Sequence, residues 1–332
     1  MSYIIICVVF LIGTISIPNI LGQSDEINNN VIMKHHQKDI SPNIIDKYFN
    51  NNTLVHKKDF VNNITLHYVI GGRGDPILLL HGWPETWYEW RNIIPSLIAN
   101  NYTVIALDMR GLGDSEKPQT GYDKKTVAED IYQLVSQLDF NNQPIFLVAH
   151  DVGAQTAYSY TFAHPNNVSK LVIIDFPYPG FLPPEFGENG PWWFAFYQVP
   201  NLPEALIEGK EREYLSWFMK GLAYNPSAIT EEAIDVFASH AASPGGLRGG
   251  FEHFRAFPED AEQNRESAQN KITTPVLVLG GDIYPALGGD FPGNFALTST
   301  QALAANVTGV TVPLSGHWIP EEQPEFVKDQ LF

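Results

Sequence analysis

The stretch "IFLVAHDVGAQTAYSY", Ile145 to Tyr160, decides the fold. A strand-like apolar run stops at Ala149-His150-Asp151-Val152-Gly153, and a small-residue helical pattern follows at once. Small residues two before and two after a central side chain let a strand turn sharply into a helix. That side chain then stands at the edge of the sheet, where the helix N-terminus favours negative charge. On this reading Asp151 is a nucleophile; on the other it only caps the helix. The stretch alone leaves both open.

Its surroundings repeat the same rhythm. "PILLLHG", "YTVIALD" and "KLVIID" read as short buried strands, and "NITLHYVIGG" alternates with period two. Val127, Ile131, Leu134, Val135 and Leu138 mark one helical face in "KKTVAEDIYQLVSQL". Continuous apolar strands alternating with helices argue an α/β fold, a mostly parallel central sheet with helices on both faces. The rhythm breaks from about Tyr178 to Arg265, where Pro- and aromatic-rich sequence leads into several helices, and resumes at "TPVLVLGGD" and "VTGVTVPLSGH". The expected organisation is a core over 59–177 and 268–332 with an inserted helical lid over 178–267. Ligands of open α/β sheets sit at the carboxyl ends of the strands, beneath such a lid.

The segment before the core reads differently. Residues 1–22, an apolar centre with a polar exit near Gly22, read as a secretory signal peptide, and residues 23–58 as a polar arm. The single cysteine, Cys7, lies in that leader, so the mature chain would have no disulfide, thiolate nucleophile or Cys-metal site. Sequons at Asn51, Asn63, Asn101, Asn167 and Asn306 are candidate glycosylation sites and agree with a secreted, extracellular protein. A net charge of −17 repels phosphate backbones and anionic membranes, so no nucleic-acid partner is expected, and no membrane partner after leader removal. The expected partner is a small-molecule substrate; the sequence leaves the oligomeric state open.

Two further segments bear on Asp151. "LLLHGWPETWYEW" places His81-Gly82-Trp83-Pro84-Glu85 directly after a strand, and "PLSGHWIPEEQPE" places His317 in a turn after the last one. With "DMRGLGDSEKP" and "HDVGAQTAY", these make the chain resemble the epoxide hydrolase and haloalkane/haloacid dehalogenase branch of the α/β-hydrolase superfamily, from about Asp59 to Phe332. A carboxylate nucleophile has its own logic there. Attack on an ester would give an anhydride, whereas attack on an sp³ carbon gives an ordinary alkyl ester that activated water can then hydrolyse. His317 is the candidate base for that second step.

The resemblance implies an acid behind His317 in one of two places. Asp175 ends "KLVIID"; in "VLVLGGDIYPALGG" Tyr284 stands where the acid would fall, with Asp282 two residues early, so Asp175 is favoured. It also implies backbone oxyanion donors at Trp83 and Val152, and a pocket and lid drawing on His81, His150, Trp192, Trp193, His253 and Phe254. Here the chain departs from the pattern. Trp193 and Phe254 occupy the positions of the two lid donors, usually tyrosines in epoxide hydrolases, and phenylalanine cannot donate. Val152 replaces the halide-binding tryptophan of haloalkane dehalogenases, and Val152 and Gln155 replace the carboxylate-gripping arginines of haloacetate dehalogenases. Trp192, Tyr197, Tyr224 and His253 are possible substitute donors. The resulting expectation is a secreted, epoxide-hydrolase-like enzyme needing neither metal nor organic cofactor, with a dehalogenase of small neutral organohalides and a non-catalytic small-molecule binder as alternatives.

Overall fold

The computed structural model describes residues 54–186, 190–283 and 295–332. Eight strands form one sheet in the order β1-β2-β4-β3-β5-β6-β7-β8. These are β1 (Val55–Val61), β2 (Ile64–Gly72), β3 (Asp75–Leu80), β4 (Tyr102–Leu107), β5 (Ile145–His150), β6 (Val168–Ile174), β7 (Val276–Gly281) and β8 (Val307–Val312). The pairs β1–β2 and β2–β4 are antiparallel and all others parallel. The central strands are apolar because both faces are covered: Leu78, Leu79, Leu80, Leu147, Val148 and Ile173 are all buried.

The helices α1 (Ile94–Ala99), α2 (Lys124–Gln137) and α3 (Val152–Ala163) follow β3, β4 and β5. Asp123 caps α2 by accepting the Thr126 N–H at 3.1 Å, and Val127, Ile131, Leu134 and Val135 form its buried face. Leu138 is the residue that ends it. Between β6 and β7 come α4 (Trp192–Gln198), α5 (Leu202–Ile207), α6 (Glu211–Leu222), α7 (Glu231–Ala241), α8 (Gly246–Arg255) and α9 (Phe257–Ser267), the inserted lid. The chain closes with α10 (Phe295–Leu303) before β8, then α11 (Ile319–Glu322) and α12 (Pro324–Leu331).

One boundary differs from the sequence reading. β1 begins at Val55, inside the segment expected to be polar arm. Its sequence, VHKKDFV, exposes its charges because it is an edge strand paired only with β2, so no apolar periodicity marks it. The expected leader and most of the arm lie outside the described residues, as do Asn51 and Tyr284. Asn63, Asn101 and Asn306 are exposed. Asn167 is a correction: it is buried, its Oδ1 accepts the Tyr160 hydroxyl and its Nδ2 donates to the Asn141 carbonyl at 3.4 Å, so it offers no free amide to a glycan. Among the described residues, no helix is long and apolar enough to cross a membrane.

Candidate active site

The elbow forms as its small residues allow. Asp151 sits between β5 and α3 at φ 49°, ψ −126°, a strained conformation for a residue with a side chain, costing about 1–3 kcal/mol. The surrounding packing holds it there. A Cβ on Gly153 would lie 2.6 Å from the His81 carbonyl oxygen, and one on Gly82 would lie 2.6 Å from the Asp151 Cβ, so the β3 loop and the elbow pass as closely as glycine permits. The Asp151 side chain makes no cap to α3, which removes the helix-capping alternative.

Its carboxylate faces two groups instead. The Trp83 N–H donates to Oδ1 at 2.9 Å, and His317 Nε2 stands 3.6 Å from Oδ2, a charge contact longer than a good hydrogen bond. His317 Nδ1–H donates to Asp175 Oδ2 at 2.8 Å, and the Gly281 N–H donates to Asp175 Oδ1 at 3.0 Å. Asp175 itself stands at φ 53°, just past the end of β6. Asp282 goes elsewhere: its two oxygens accept the N–H groups of Leu314 (3.0 Å) and Ser315 (3.1 Å), bracing the turn that carries His317. Val152 opens α3, but its N–H makes no bond to the Asp151 carboxylate.

Electrostatics bind the pair together. Burial alone would lower His317, but the carboxylates of Asp151 and Asp175 outweigh it and raise the imidazole to about 10. Burial would raise Asp151; the facing imidazole, with the Trp83 N–H, holds it below the usual carboxylate range instead. In the free protein the two therefore form an ion pair at neutral pH.

Asp151, Asp175 and His317 open onto a cavity of about 450 Å³, counting its space open to solvent. Trp83, Trp193, Phe176, Phe218 and Phe254 are among its walls, and none of the described lining residues is a lysine or arginine. Lid and core meet through Trp83, whose ring lies 4.7 Å from Tyr197 and 5.7 Å from Phe254, centre to centre. Trp193 and Phe254 thus fall in the cavity wall.

Four other expected lining residues do not. Trp192, half exposed, turns outward against Trp217; as an immediate helical neighbour of Trp193 it points to a different side. His253 is buried with Nε2 against the Arg110 carbonyl at 2.9 Å. His81 is buried, its Nδ1–H donating to the Gly82 carbonyl at 2.7 Å. His150 lies behind the elbow, where its Nε2–H donates to the main-chain carbonyl of His317 at 3.0 Å. As for the other possible donors, Tyr197 is buried with its hydroxyl bonded to that of Tyr214, and Tyr224 is among the exposed side chains.

His150 also reveals a feature that the motif reading passed over. Its Nδ1 lies 3.4 Å from Glu85 and 3.1 Å from Glu89, both carboxyls being fully buried. Glu89 accepts the Gly82 N–H at 2.9 Å, while neither Glu85 oxygen has a hydrogen-bond partner. Burial, reinforced by Glu89, pushes Glu85 well above the carboxylate range; burial likewise lifts Glu89 to about 8. The available signal was a pair of acids four residues apart in an otherwise apolar, aromatic run.

The fold and this geometry define a hydrolase class, and comparison with known proteins agrees. A family model described as alpha/beta hydrolase fold matches residues 75–224. The soluble epoxide hydrolase of Corynebacterium sp. (strain C12) is 37% identical over 286 residues, spanning 83% of this chain and 95% of that protein. The solved structure of epoxide hydrolase CorEH without ligand superposes with a TM-score of 0.72 at 36% identity, covering 84% of this chain and 97% of that one. A fluoroacetate dehalogenase from Burkholderia sp. is 28% identical over 67% of this chain and 75% of its own. The chain belongs to the α/β-hydrolase superfamily, in its epoxide-hydrolase-like branch of enzymes.

Proposed function

We propose that the protein is a secreted hydrolase that opens an uncharged, largely apolar epoxide through a covalent ester on Asp151. The observation that carries this reading is the Asp151–His317–Asp175 line at the floor of an apolar cavity. Secretion is supported by the leader sequence and by exposed sequons at Asn63, Asn101 and Asn306.

In the first step Asp151 Oδ2, the oxygen away from Trp83, attacks an epoxide carbon and the C–O bond breaks. The hydrogen bond to the departing oxygen is assigned to Trp193, the lid residue of the cavity wall whose indole N–H can donate where Phe254 cannot. Making the ester removes the charge on Asp151 that raised His317, so the imidazolium gives its proton to the new alkoxide. The intermediate thereby generates its own base. In the second step neutral His317, oriented by Asp175, takes a proton from water as its oxygen attacks the ester carbonyl carbon. Oδ1 carries the negative charge against the Trp83 N–H, a donor of a kind worth about 3–4 kcal/mol. Collapse expels the diol oxygen, which takes the remaining proton of the added water; Asp151 returns as carboxylate and His317 as imidazolium.

The test is intact-protein mass spectrometry of His317→Gln with pooled small epoxides and organohalides. Alkylation slows, since water must supply the proton, but the ester accumulates because nothing hydrolyses it. A gain of one whole epoxide is the expected result. A gain of substrate minus HX would replace it with dehalogenation, and no adduct from either pool, with substrate bound, would mean a binder.

A further inference from the structure

The hairpin that joins β1 to β2 presents an aromatic ring to solvent at the edge of the sheet. Phe60, at 65% exposure, is the most open large apolar side chain among the described residues. The register pairs Val61 with Ile64, both buried, and Phe60 with Thr65. Side chains alternate along a strand, so Phe60 and Thr65 stand across from each other on the face opposite to Val61 and Ile64. Asn62 and Asn63 form the two-residue link, at φ 43° and 62°. Such a link takes positive φ at both positions and is commonest as Asn-Gly. Here the second position holds Asn63, the acceptor of the sequon Asn63-Ile64-Thr65, in a conformation that glycine adopts more easily.

The two asparagines are engaged differently. Asn62 is tied into the fold: its N–H donates to Gln133 Oε1 at 2.7 Å and its Nδ2 to Asp130 Oδ1 at 2.6 Å. Asn63 is exposed, and its amide makes no hydrogen bond among the described residues. Phe60 and Asn63 border the same open groove on the surface, so ring and acceptor belong to one small neighbourhood. The other exposed sequons lack such a neighbour. Three residues before Asn101 and Asn306 stand Ile98 and Leu303, where Asn63 has Phe60.

We propose that Asn63 carries an N-linked glycan whose first N-acetylglucosamine stacks on the Phe60 ring, a proposal that rests on the secreted reading given above. Asn63 Nδ2 takes C1 of that sugar from a lipid-linked pyrophosphate donor: the N–C bond forms, the C–O bond to pyrophosphate breaks, and one amide proton leaves. The C–H-lined face of a pyranose is apolar and slightly positive, and an aromatic ring offers it a negative face. The stacked sugar covers the exposed ring and ties together the two strands of the hairpin. It also screens the free edge of β1, which would otherwise offer unpaired backbone groups to another sheet.

The full-length chain, expressed with its own leader in eukaryotic cells, tests the proposal by glycopeptide mass spectrometry and thermal unfolding. Asn63 should be occupied. Asn63→Gln should lower the melting temperature by about 2 °C more in the native background than in Phe60→Ala, because only the native ring loses a stacked sugar. Effects of the substitution on the turn itself are common to both backgrounds and cancel. The same four proteins made without glycan in bacteria should show no such excess. An equal excess there would overturn the stacking, and so would equal losses in the two glycosylated backgrounds. Asn63 bare beside an occupied Asn101 or Asn306 would overturn this proposal alone. A chain bare at every sequon and retained in the cells would overturn the secreted reading with it. None of these outcomes touches the Asp151 chemistry, which is read by adduct mass.

Discussion

Asp175 and Asp282 end neighbouring strands, and each satisfies backbone N–H groups, yet only one touches His317. The sequence offered both as candidates because strand ends are visible in it. What separates them is invisible there: the Leu314 and Ser315 N–H groups occupy the Asp282 oxygens, a result of how one turn folds back. The two substitutions should therefore fail differently. Asp175→Asn should reduce steady-state turnover by roughly 10²–10⁴-fold, with the alkyl ester accumulating under saturating substrate, because His317 loses the group that orients it and stabilises its protonated form. Asp282→Asn should keep turnover within a few-fold while losing about 1 kcal/mol of stability, from one weakened turn hydrogen bond. Pre-steady-state mass spectrometry and urea titration of the two variants separate these outcomes; equal losses of turnover would contradict the assignment.

At the scale of elements, the most legible parts were those whose constraint is local. The elbow needs small residues at fixed offsets, and "AHDVG" supplies them. The buried strands and the apolar face of α2 follow from period alone. Those set by tertiary partners were less legible: β1 has no apolar pattern because one edge faces solvent, and of the adjacent letters Trp192 and Trp193 one is half exposed and the other lines the cavity. Gly153→Ala would bring its new methyl to 2.6 Å from the His81 carbonyl oxygen and 2.8 Å from that of Leu80, and backbone cannot rotate aside as a flexible side chain does. Such overpacking should cost about 1–3 kcal/mol in urea unfolding and displace Asp151 from the Trp83 N–H. An alanine variant with the native unfolding midpoint would show that the two strands' loops are not so closely interlocked.

For the whole molecule, the buried acids behind the elbow connect the site to global stability. Glu89 binds its proton more tightly folded than unfolded, since its carboxyl is lifted from the usual 4.5 to about 8. Its contribution to stability is therefore fully present below about pH 4.5 and is lost as pH rises towards 8. Glu89→Gln, which keeps an acceptor for the Gly82 N–H and cannot ionise, should gain a few kcal/mol at pH 8 and little at pH 4, relative to the native chain. Urea unfolding at both pH values checks this; a gain equal at the two would mean that Glu89 does not titrate in that window. His317 works in the same direction over a higher range, its ion-pair stabilisation being full below pH 6.5 and lost as pH rises through about 10. Both effects predict that alkali, more than neutrality, loosens the fold around the elbow.

The position of Asp175 has a consequence for how this enzyme can change. With the acid supplied from the end of β6, the end of β7 serves as a brace: the Gly281 N–H holds Asp175, and Asp282 holds the turn that carries His317. Asp282 is thereby released from proton handling, and any side chain that accepts from the same two N–H groups can replace it. Drift at the end of β7 therefore costs rigidity, whereas drift at the end of β6 costs chemistry.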